Sequence, residues 1–251
     1  MTAMRRYRYD LHTHSCRSPC GDDDMTPNNL VNMAALLGCE ILALTDHNTC
    51  QNVPAAVRVG EAAGVLVIPG MELCTAEEAH VVCLFETVEG ALAFDEYAAA
   101  HTVCIPNRPE IFGEQRILNE RDEETGKIDR LLITATEIGV NEVQALAALY
   151  GGAAFPAHVD KNAYSMTAAL GAVPPEAGFR AVELSHGADR AAVCRLYPEL
   201  RDMLLLRDSD AHYLHLMQEN MAQVELPERS AKALLDVLRG CGPGCFLEPD
   251  P

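Results

Sequence analysis

Residues 6–14 read RYRYDLHTH, and this stretch decides how the rest of the chain is interpreted. We predict a strand over Arg6–Leu11, with His12 and His14 directly at its end. Residues i and i+2 of a strand point to the same face, so the two imidazoles project together, as two ligands of one metal ion would. Alone, such a pair is weak evidence, because most histidine pairs of this spacing are structural or exposed.

The same arrangement recurs along the chain, where apolar segments end in, or begin beside, polar side chains. The polar residues at these points are Asp46, His47, Glu72, His80, His158, Asp210 and His212. Imidazole and carboxylate ligands together suit zinc, manganese or iron. A purely structural role would have to apply independently at five or six strand ends, so the set predicts a metal site.

Short apolar segments alternate with helical patterns, which indicates βαβ units and a parallel sheet. The predicted strands are Arg6–Leu11, Glu40–Thr45, Val65–Pro69, His80–Phe85, Ala153–Pro156, Ala181–Leu184 and Met203–Arg207, and the predicted helices are Pro27–Leu37, Val53–Ala63, Asn141–Tyr150, Tyr164–Leu170 and Asp189–Leu196. An open sheet would spread the polar strand ends along a line, whereas a closed or distorted barrel makes them converge at its C-terminal face. The sequence therefore favours an α/β barrel.

One segment departs from this alternation. Between Glu86 and Leu131 there is no strong strand; Glu89–Ala100 has a helical pattern, and a charged run follows at Glu120–Asp129. We predict an inserted helical subdomain or lid over residues 86–131, after the fourth strand. Residues 1–85 and 132–251 would then form the barrel domain.

Composition limits the function classes. The chain has 251 residues and a formal net charge of −18, which argues against a long nucleic-acid footprint but not against a small anionic substrate. No apolar stretch is long enough for a membrane helix, and we expect a cytoplasmic protein. Most of the ten cysteines, among them Cys39, Cys74, Cys83, Cys104 and Cys194, are expected to be reduced core thiols.

Five short motifs occur in a fixed order: His-Thr-His at 12–14, Thr-Asp-His at 45–47, Pro-Gly-Met-Glu at 69–72, Ala-His at 157–158 and Ser-Asp-Ala-His at 209–212. In this order they resemble the motifs of the PHP (polymerase and histidinol phosphatase) domain family, along nearly the whole chain. The resemblance implies a distorted (β/α)7 barrel and a site for two or three divalent metal ions. It also implies hydrolysis of phosphate esters with a metal-bound hydroxide as nucleophile.

Position by position, the resemblance implies a set of metal ligands: His12, His14, Asp22, His47, Glu72, His80, His158, Asp210 and His212. Glu72 corresponds to a carboxylate that bridges two ions. The loop that carries Asp22 is longer than usual in the family, so Asp23 or Cys20 could take its place. Asp46 is expected to orient a ligand rather than to bind metal.

Four residues are predicted to take part in catalysis: Glu72, Asp210, Lys161 and His186. Lys161 stands where related phosphatases have a phosphate-holding arginine, and it supplies a point charge without a bidentate fork. His186 follows the sixth strand and could act as a general acid or contact the substrate. Arg17 and Arg116 could supplement the lysine, although solvated surface charge is the simpler interpretation.

The predicted function is hydrolysis of a small phosphorylated metabolite or nucleotide by a metal-dependent phosphoesterase. Three alternatives stay open: a metal-dependent amidohydrolase acting on C–N bonds, an exonuclease on short oligonucleotides, and a non-catalytic metal-binding module. The expected partner is a small anionic phosphate-bearing substrate, without membrane or long nucleic acid.

Overall fold

The structure, a computed structural model, describes residues 3–247. The strands are β1 (Arg5–Thr13), β2 (Ile41–Leu44), β3 (Leu66–Cys74), β4 (His80–Phe85), β5 (Arg116–Leu118), β6 (Glu124–Lys127), β7 (Gly152–Pro156), β8 (Ala181–Ser185), β9 (Leu204–Asp208), β10 (Gln223–Leu226) and β11 (Cys245–Leu247). The helices are α1 (Pro27–Leu36), α2 (Val53–Ala63), α3 (Val88–Ala100), α4 (Pro109–Phe112), α5 (Val140–Leu149), α6 (Met166–Leu170), α7 (Arg190–Leu196) and α8 (Ala231–Leu238). Three short 3₁₀ helices lie at Pro175–Ala177, Pro198–Asp202 and Leu214–Leu216.

All seven predicted strands are confirmed as β1, β2, β3, β4, β7, β8 and β9, and the predicted helices as α1, α2, α3, α5, α6 and α7. Local capping explains several of the helix ends. Helix α1 begins after Thr26, whose side chain accepts a hydrogen bond from the Asn29 amide, with Pro27 at the first helical position. Helix α2 ends at Gly64 in the left-handed conformation (φ 77°), which glycine adopts without steric cost.

The main sheet has the order β11-β10-β1-β2-β3-β4-β7, and its strands are not all parallel. Strands β1, β2 and β3 pair in parallel, but β4 is antiparallel to both β3 and β7. The prediction of a parallel sheet is therefore wrong at β4. The physical reason is the connection: only Thr75–Ala79 separate β3 from β4, and a parallel crossover needs a dozen or more residues.

The reversal of β4 explains how its first residue reaches the site. Because β4 runs against β3 and β7, its N-terminal end lies beside their C-terminal ends. The backbone bears this out: Cys74 pairs with His80, and Ala157 donates to the His80 carbonyl over 3.0 Å. His80 therefore lies at the same face as the residues that follow the parallel strands.

The sheet curls, and a parallel pair, β8–β9, lies between its two sides. On one side the Val159 amide, just after β7, donates to the Glu183 carbonyl of β8 over 2.9 Å. On the other side the His14 amide, just after β1, donates to the Ala211 carbonyl, after β9, over 3.0 Å. The curl brings the C-terminal ends of distant strands to one place.

Both faces of the curled sheet are buried. Along β4, Val81, Cys83 and Phe85 join the apolar cluster under the outer helices, whereas Val82 and Leu84 join the cluster inside the curl. Helix α8 packs on the inner cluster. Its C-cap residue Arg239 donates to the carbonyls of Gly151 and Gly152 at the start of β7, so α8 lies at the end of the sheet opposite to the site.

The segment 86–131 begins with α3, whose Ala91, Phe94 and Ala98 are fully buried against the sheet. It continues through α4 into a hairpin of β5 and β6, so it is less helical than predicted. Cys104, predicted to be buried, is exposed in this segment, while all ten cysteines are free thiols. No helix among the described residues is both long and apolar enough to pass through a bilayer.

Candidate metal centre

Glu72, near the C-terminal end of β3, is the centre of a buried cluster of imidazoles. Its carboxylate lies 2.9–3.3 Å from one ring nitrogen of each of five histidines, and its exposed fraction is 1%. The five are His12, His14, His47, His80 and His158. One carboxylate cannot satisfy five imidazoles by ordinary hydrogen bonding, since it has about four lone-pair sites.

Asp210 supplies a second carboxylate to the same cluster. Its Oδ1 lies 3.4 Å from His12 Nε2, 3.2 Å from His14 Nε2 and 3.6 Å from His212 Nδ1. The His212 ring stacks on that of His14, with centroids 4.0 Å apart. On its outer side, Asp210 Oδ2 accepts a hydrogen bond from Lys161 Nζ over 2.5 Å.

The side chains of the cluster shift one another's pKa values. Burial raises the pKa of Glu72, but the nearby His80, His12 and His47 outweigh it and hold this pKa well below the ordinary value. Burial lowers the pKa of His12, yet Glu183, Glu72 and Asp210 raise it well above normal. Burial and the neighbouring His212 lower the pKa of His14 well below normal. A lowered pKa favours the neutral form of the His14 imidazole, which is the form that binds metal.

Three groups of side chains place their ligand atoms within 4.8 Å of one another, close enough to hold a metal ion: His14–His47–His212, His12–His14–Asp210 and His47–Glu72–His80. Several buried atoms of this cluster have no hydrogen-bond partner among the described residues. They are Glu72 Oε2, Asp210 Oδ1, His47 Nδ1 and His158 Nδ1. Buried polar groups normally have partners, so the donor set fits divalent ions that would occupy these positions.

The outer nitrogens of two histidines are held by side chains around the cluster. His12 Nδ1 lies 2.6 Å from Glu183 Oε2, and His14 Nδ1 lies 2.9 Å from Ser18 Oγ. Ser18 Oγ in turn donates to Asp46 Oδ1 over 2.8 Å, and Asp46 also accepts from Ser15. Such contacts fix ring orientation and tautomer in metal sites. Asp46 belongs to none of the three ligand groups.

Two cluster residues have strained backbones. His158 and Asp210 adopt positive φ angles of 31° and 50°, which residues other than glycine rarely take. Tyr164, at the rim of the site, also has a positive φ of 54°. Such strain persists only where the surrounding structure imposes it, and it concentrates at functional sites.

A cavity of about 280 Å³ opens onto the cluster. Its walls include Glu72, Asp210, Lys161 and four of the histidines, together with Cys20, Ile133, Ala163 and Tyr164. The Lys161 side chain is 44% exposed, so its ammonium group faces the opening. Asp210 and further carboxylates outweigh burial and raise the pKa of Lys161, which keeps it charged.

Other predicted residues lie outside this cavity. His186 is not among the described residues that line it, and its carbonyl accepts from Arg207. Arg17 is fully buried and does not line the cavity, and burial lowers its pKa to about 10. Arg116 donates to Asp23 over 3.0 Å. Asp22 Oδ1 accepts from the Asp24 amide, and Asp22 does not line the cavity.

Two residues at the site were not singled out from the sequence. Glu183 contacts His12 Nδ1 through its carboxylate, and the sequence feature that could have identified it is a lone charged residue within the apolar strand 181–185. Tyr164 stacks on His80, with ring centroids 5.0 Å apart, and is 56% exposed. No sequence signal marks Tyr164, because its position depends on the contact between its carbonyl and the His80 amide.

Short segments of this chain are similar to curated enzymes. A 76-residue stretch, 30% of this chain, is 38% identical to the 5'-3' exoribonuclease Rnm of Salmonella typhimurium, of which it covers 25%. A 64-residue stretch, 26% of this chain, is 41% identical to the phosphoribosyl 1,2-cyclic phosphate 1,2-diphosphodiesterase of Eggerthella lenta, of which it covers 23%. The aligned stretches thus span about a quarter of these relatives.

Among solved structures, the fold is similar to that of the lesion-specific endonuclease PfuEndoQ from Pyrococcus furiosus. The TM-score is 0.68 at 17% sequence identity, over 96% of this chain and 58% of the endonuclease. The sequence model of the PHP domain matches residues 10–164, more than half of the chain. The chain therefore belongs to the PHP domain family.

Proposed function

We propose that the protein is a metal-dependent phosphoesterase that hydrolyses a small phosphorylated metabolite or nucleotide. The observation that carries this proposal is that candidate metal ligands and a lysine side chain border the same cavity. Buried carboxylates and imidazoles suited to divalent ions form the floor, and the ammonium group of Lys161 lies at the opening, 2.5 Å from Asp210. A bound phosphate ester would meet positive charge from both.

Divalent ions held here would lower the pKa of bound water and withdraw charge from phosphate oxygens. His12, His14, His47, His80, His158 and His212 would hold those ions together with Glu72 and Asp210. Glu183 orients the His12 ring, and Lys161 offsets the negative charge that builds on the phosphate oxygens. Tyr164 contacts the part of the substrate beyond the phosphate.

The charge of the chain supports a small substrate over a long polymer. A protein that neutralises many phosphates needs a basic surface, and this chain has a net charge of −18. The relatives named as exoribonuclease and cyclic phosphodiesterase both act on phosphodiesters, which makes short oligonucleotides the second candidate.

A panel of substrates distinguishes these three possible activities. The metal-loaded protein should release phosphate from nucleotides or small phosphate monoesters faster than it shortens oligoribonucleotides. Turnover of oligonucleotides alone would replace the proposal with the exonuclease reading. Turnover of amide or amidine substrates with no phosphoester hydrolysis would replace it with the amidohydrolase reading.

Replacing Lys161 with alanine should leave the ions bound while slowing the reaction. Loss of one electrostatic stabiliser costs about 2–4 kcal/mol in the transition state, a fall of roughly 30- to 1000-fold in kcat/KM. Steady-state kinetics with the best phosphoester and elemental analysis of the same sample check both parts. Lys161→Arg is the matched control and should retain most of the activity, whereas an unchanged rate in Lys161→Ala would remove the lysine from the mechanism.

We also propose that the strands around the curl form a distorted (β/α)7 barrel and that residues 86–131 are an insertion that bears on substrate access. Support comes from the contacts of the hairpin with the loop after β1 and with α1. Arg116 bonds Asp23, and Asp122 accepts from Thr26 over 2.7 Å. The insertion thus lies against the loop that carries Cys20.

Shortening the insertion tests its role. The Asn107 amide donates to the Asp129 carbonyl over 2.7 Å, so the two ends of this segment lie side by side. Arg108–Ile128 can therefore be replaced by an Asn-Gly turn. We expect a folded protein that binds ions and has altered relative kcat/KM values across the substrate panel. Global unfolding, followed by circular dichroism, would show that the segment is part of the core.

A further inference from the structure

The loop between β1 and α1 contains three candidate ligands, and the structure separates them. Asp22 is engaged at its backbone and side chain: its amide donates to the His212 carbonyl, and its Oδ1 accepts from the Asp24 amide, both over 2.9 Å. Asp23 is directed to solvent, where it pairs with Arg116. Neither carboxylate lines the cavity at the cluster.

Of the three loop residues, Cys20 is the one that lines the cavity beside the histidine cluster. Its side chain lines the cavity beside His47 and His212, and the buried His47 Nδ1 has no hydrogen-bond partner among the described residues. His47 and His212, with His14, form the group of three imidazoles whose ligand nitrogens lie within 4.8 Å of one another. Two imidazoles of this group and the Cys20 side chain therefore line the same cavity.

The loop is built to hold Cys20 there. The Ser18 amide donates to the Ser15 carbonyl over 3.1 Å, and the Gly21 amide donates to the Ser18 carbonyl over 2.8 Å. A Cβ atom at Gly21 would lie 2.3 Å from the Ser15 carbonyl oxygen, so only glycine permits this tight fold. These contacts consequently fix the backbone from which the Cys20 side chain projects.

We infer that Cys20 is a thiolate ligand of the ion held by His14, His47 and His212. This inference rests on the proposed metal-dependent function and adds a sulfur donor to it. On binding, the thiol loses its proton to solvent and one sulfur–metal bond forms. A thiolate with three imidazoles is a softer donor set than carboxylates and imidazoles, and it selects zinc over manganese at this position.

Cobalt spectroscopy tests the inference without relying on activity. Co²⁺ is titrated into the full-length protein after its metal has been removed by chelation. A thiolate ligand gives an intense near-ultraviolet sulfur-to-cobalt charge-transfer band, in addition to the visible bands that any Co²⁺ site produces. We expect the near-ultraviolet band in the parent protein and its loss in Cys20→Ser and Cys20→Asp.

Cys104→Ser is the matched control, because Cys104 is also exposed but lies outside the cavity. It should keep the band. Persistence of the band in Cys20→Ser, or visible cobalt bands without it in the parent protein, would overturn the inference while leaving the metal centre intact. Absence of any cobalt binding would overturn the proposed metal centre itself, and the cysteine ligand with it.

Zinc affinity and thiol protection give a second measurement. Losing a hydrogen-bond partner of a ligand costs about 10- to 100-fold in metal affinity, so losing a ligand should weaken zinc binding in Cys20→Ser by more than that. In the parent protein, saturating zinc should protect Cys20 from a thiol-alkylating reagent, with the modified peptide read by mass spectrometry. Equal labelling of Cys20 with and without bound zinc would contradict a sulfur–metal bond.

Discussion

Replacing Glu72 with glutamine should remove both the metal ions and the activity, the largest effect expected of any single substitution. Glutamine keeps the shape of the side chain but lacks the charge that five buried imidazoles face. We expect kcat/KM to fall by at least about 1000-fold, the upper end of the loss of one electrostatic stabiliser, because the ions are lost as well. Kinetics and elemental analysis of the same sample measure the two effects.

Glu78→Gln is the matched control for this substitution. It makes the same chemical change six residues along the chain, at an exposed position of the β3–β4 connection, and should leave metal content and rate unchanged. If Glu72→Gln retained the full complement of ions, the central place of Glu72 in the site would be wrong.

Chelating the ions should destabilise the protein strongly. Ions that bind only the folded state stabilise it by about 4 kcal/mol per site when the free concentration is 1000 times Kd. For a chain of this size each kcal/mol shifts Tm by about 2–4 °C, so loss of one such site lowers Tm by roughly 8–16 °C. The buried carboxylates Glu72 and Glu183 and the partly buried Asp210 add to the effect, because they lose the cations that balance them.

Differential scanning fluorimetry of the metal-loaded and chelated protein measures this shift, and resupply of the ions should restore both Tm and activity. A chelated sample that elemental analysis shows to be free of metal, yet melts at the parent temperature, would contradict the account of the cluster.

Much of the fold follows from local sequence. The seven strands are confirmed because each is an apolar segment bounded by turn residues or polar strand ends, which are properties of neighbouring residues. The cluster at the strand ends was predictable for the same reason: His12 and His14 on one face of β1 and His47 after β2 need only strand geometry to converge. The reversal of β4 follows from the length of the connection between Cys74 and His80.

The rest depends on contacts between residues far apart in the chain. The sequence favours Asp22 as the loop ligand and leaves Asp23 and Cys20 as alternatives, whereas in the structure Asp22 is held by the His212 carbonyl and Asp23 by Arg116 from the hairpin. The place of His186 outside the cavity and of Tyr164 at its rim likewise depends on how distant loops meet. Short strands such as β10 and β11, of four and three residues, carry too little pattern to be recognised alone.

The central claim is that the side chains around Glu72 and Asp210 hold a cluster of divalent ions. Elemental analysis of the protein, purified without chelator and reconstituted with zinc, manganese or iron, tests this most directly. The account predicts about two to three ions per chain, a count that follows from the ligand number and ordinary coordination. A folded protein that binds at most about one ion under every reconstitution would contradict it.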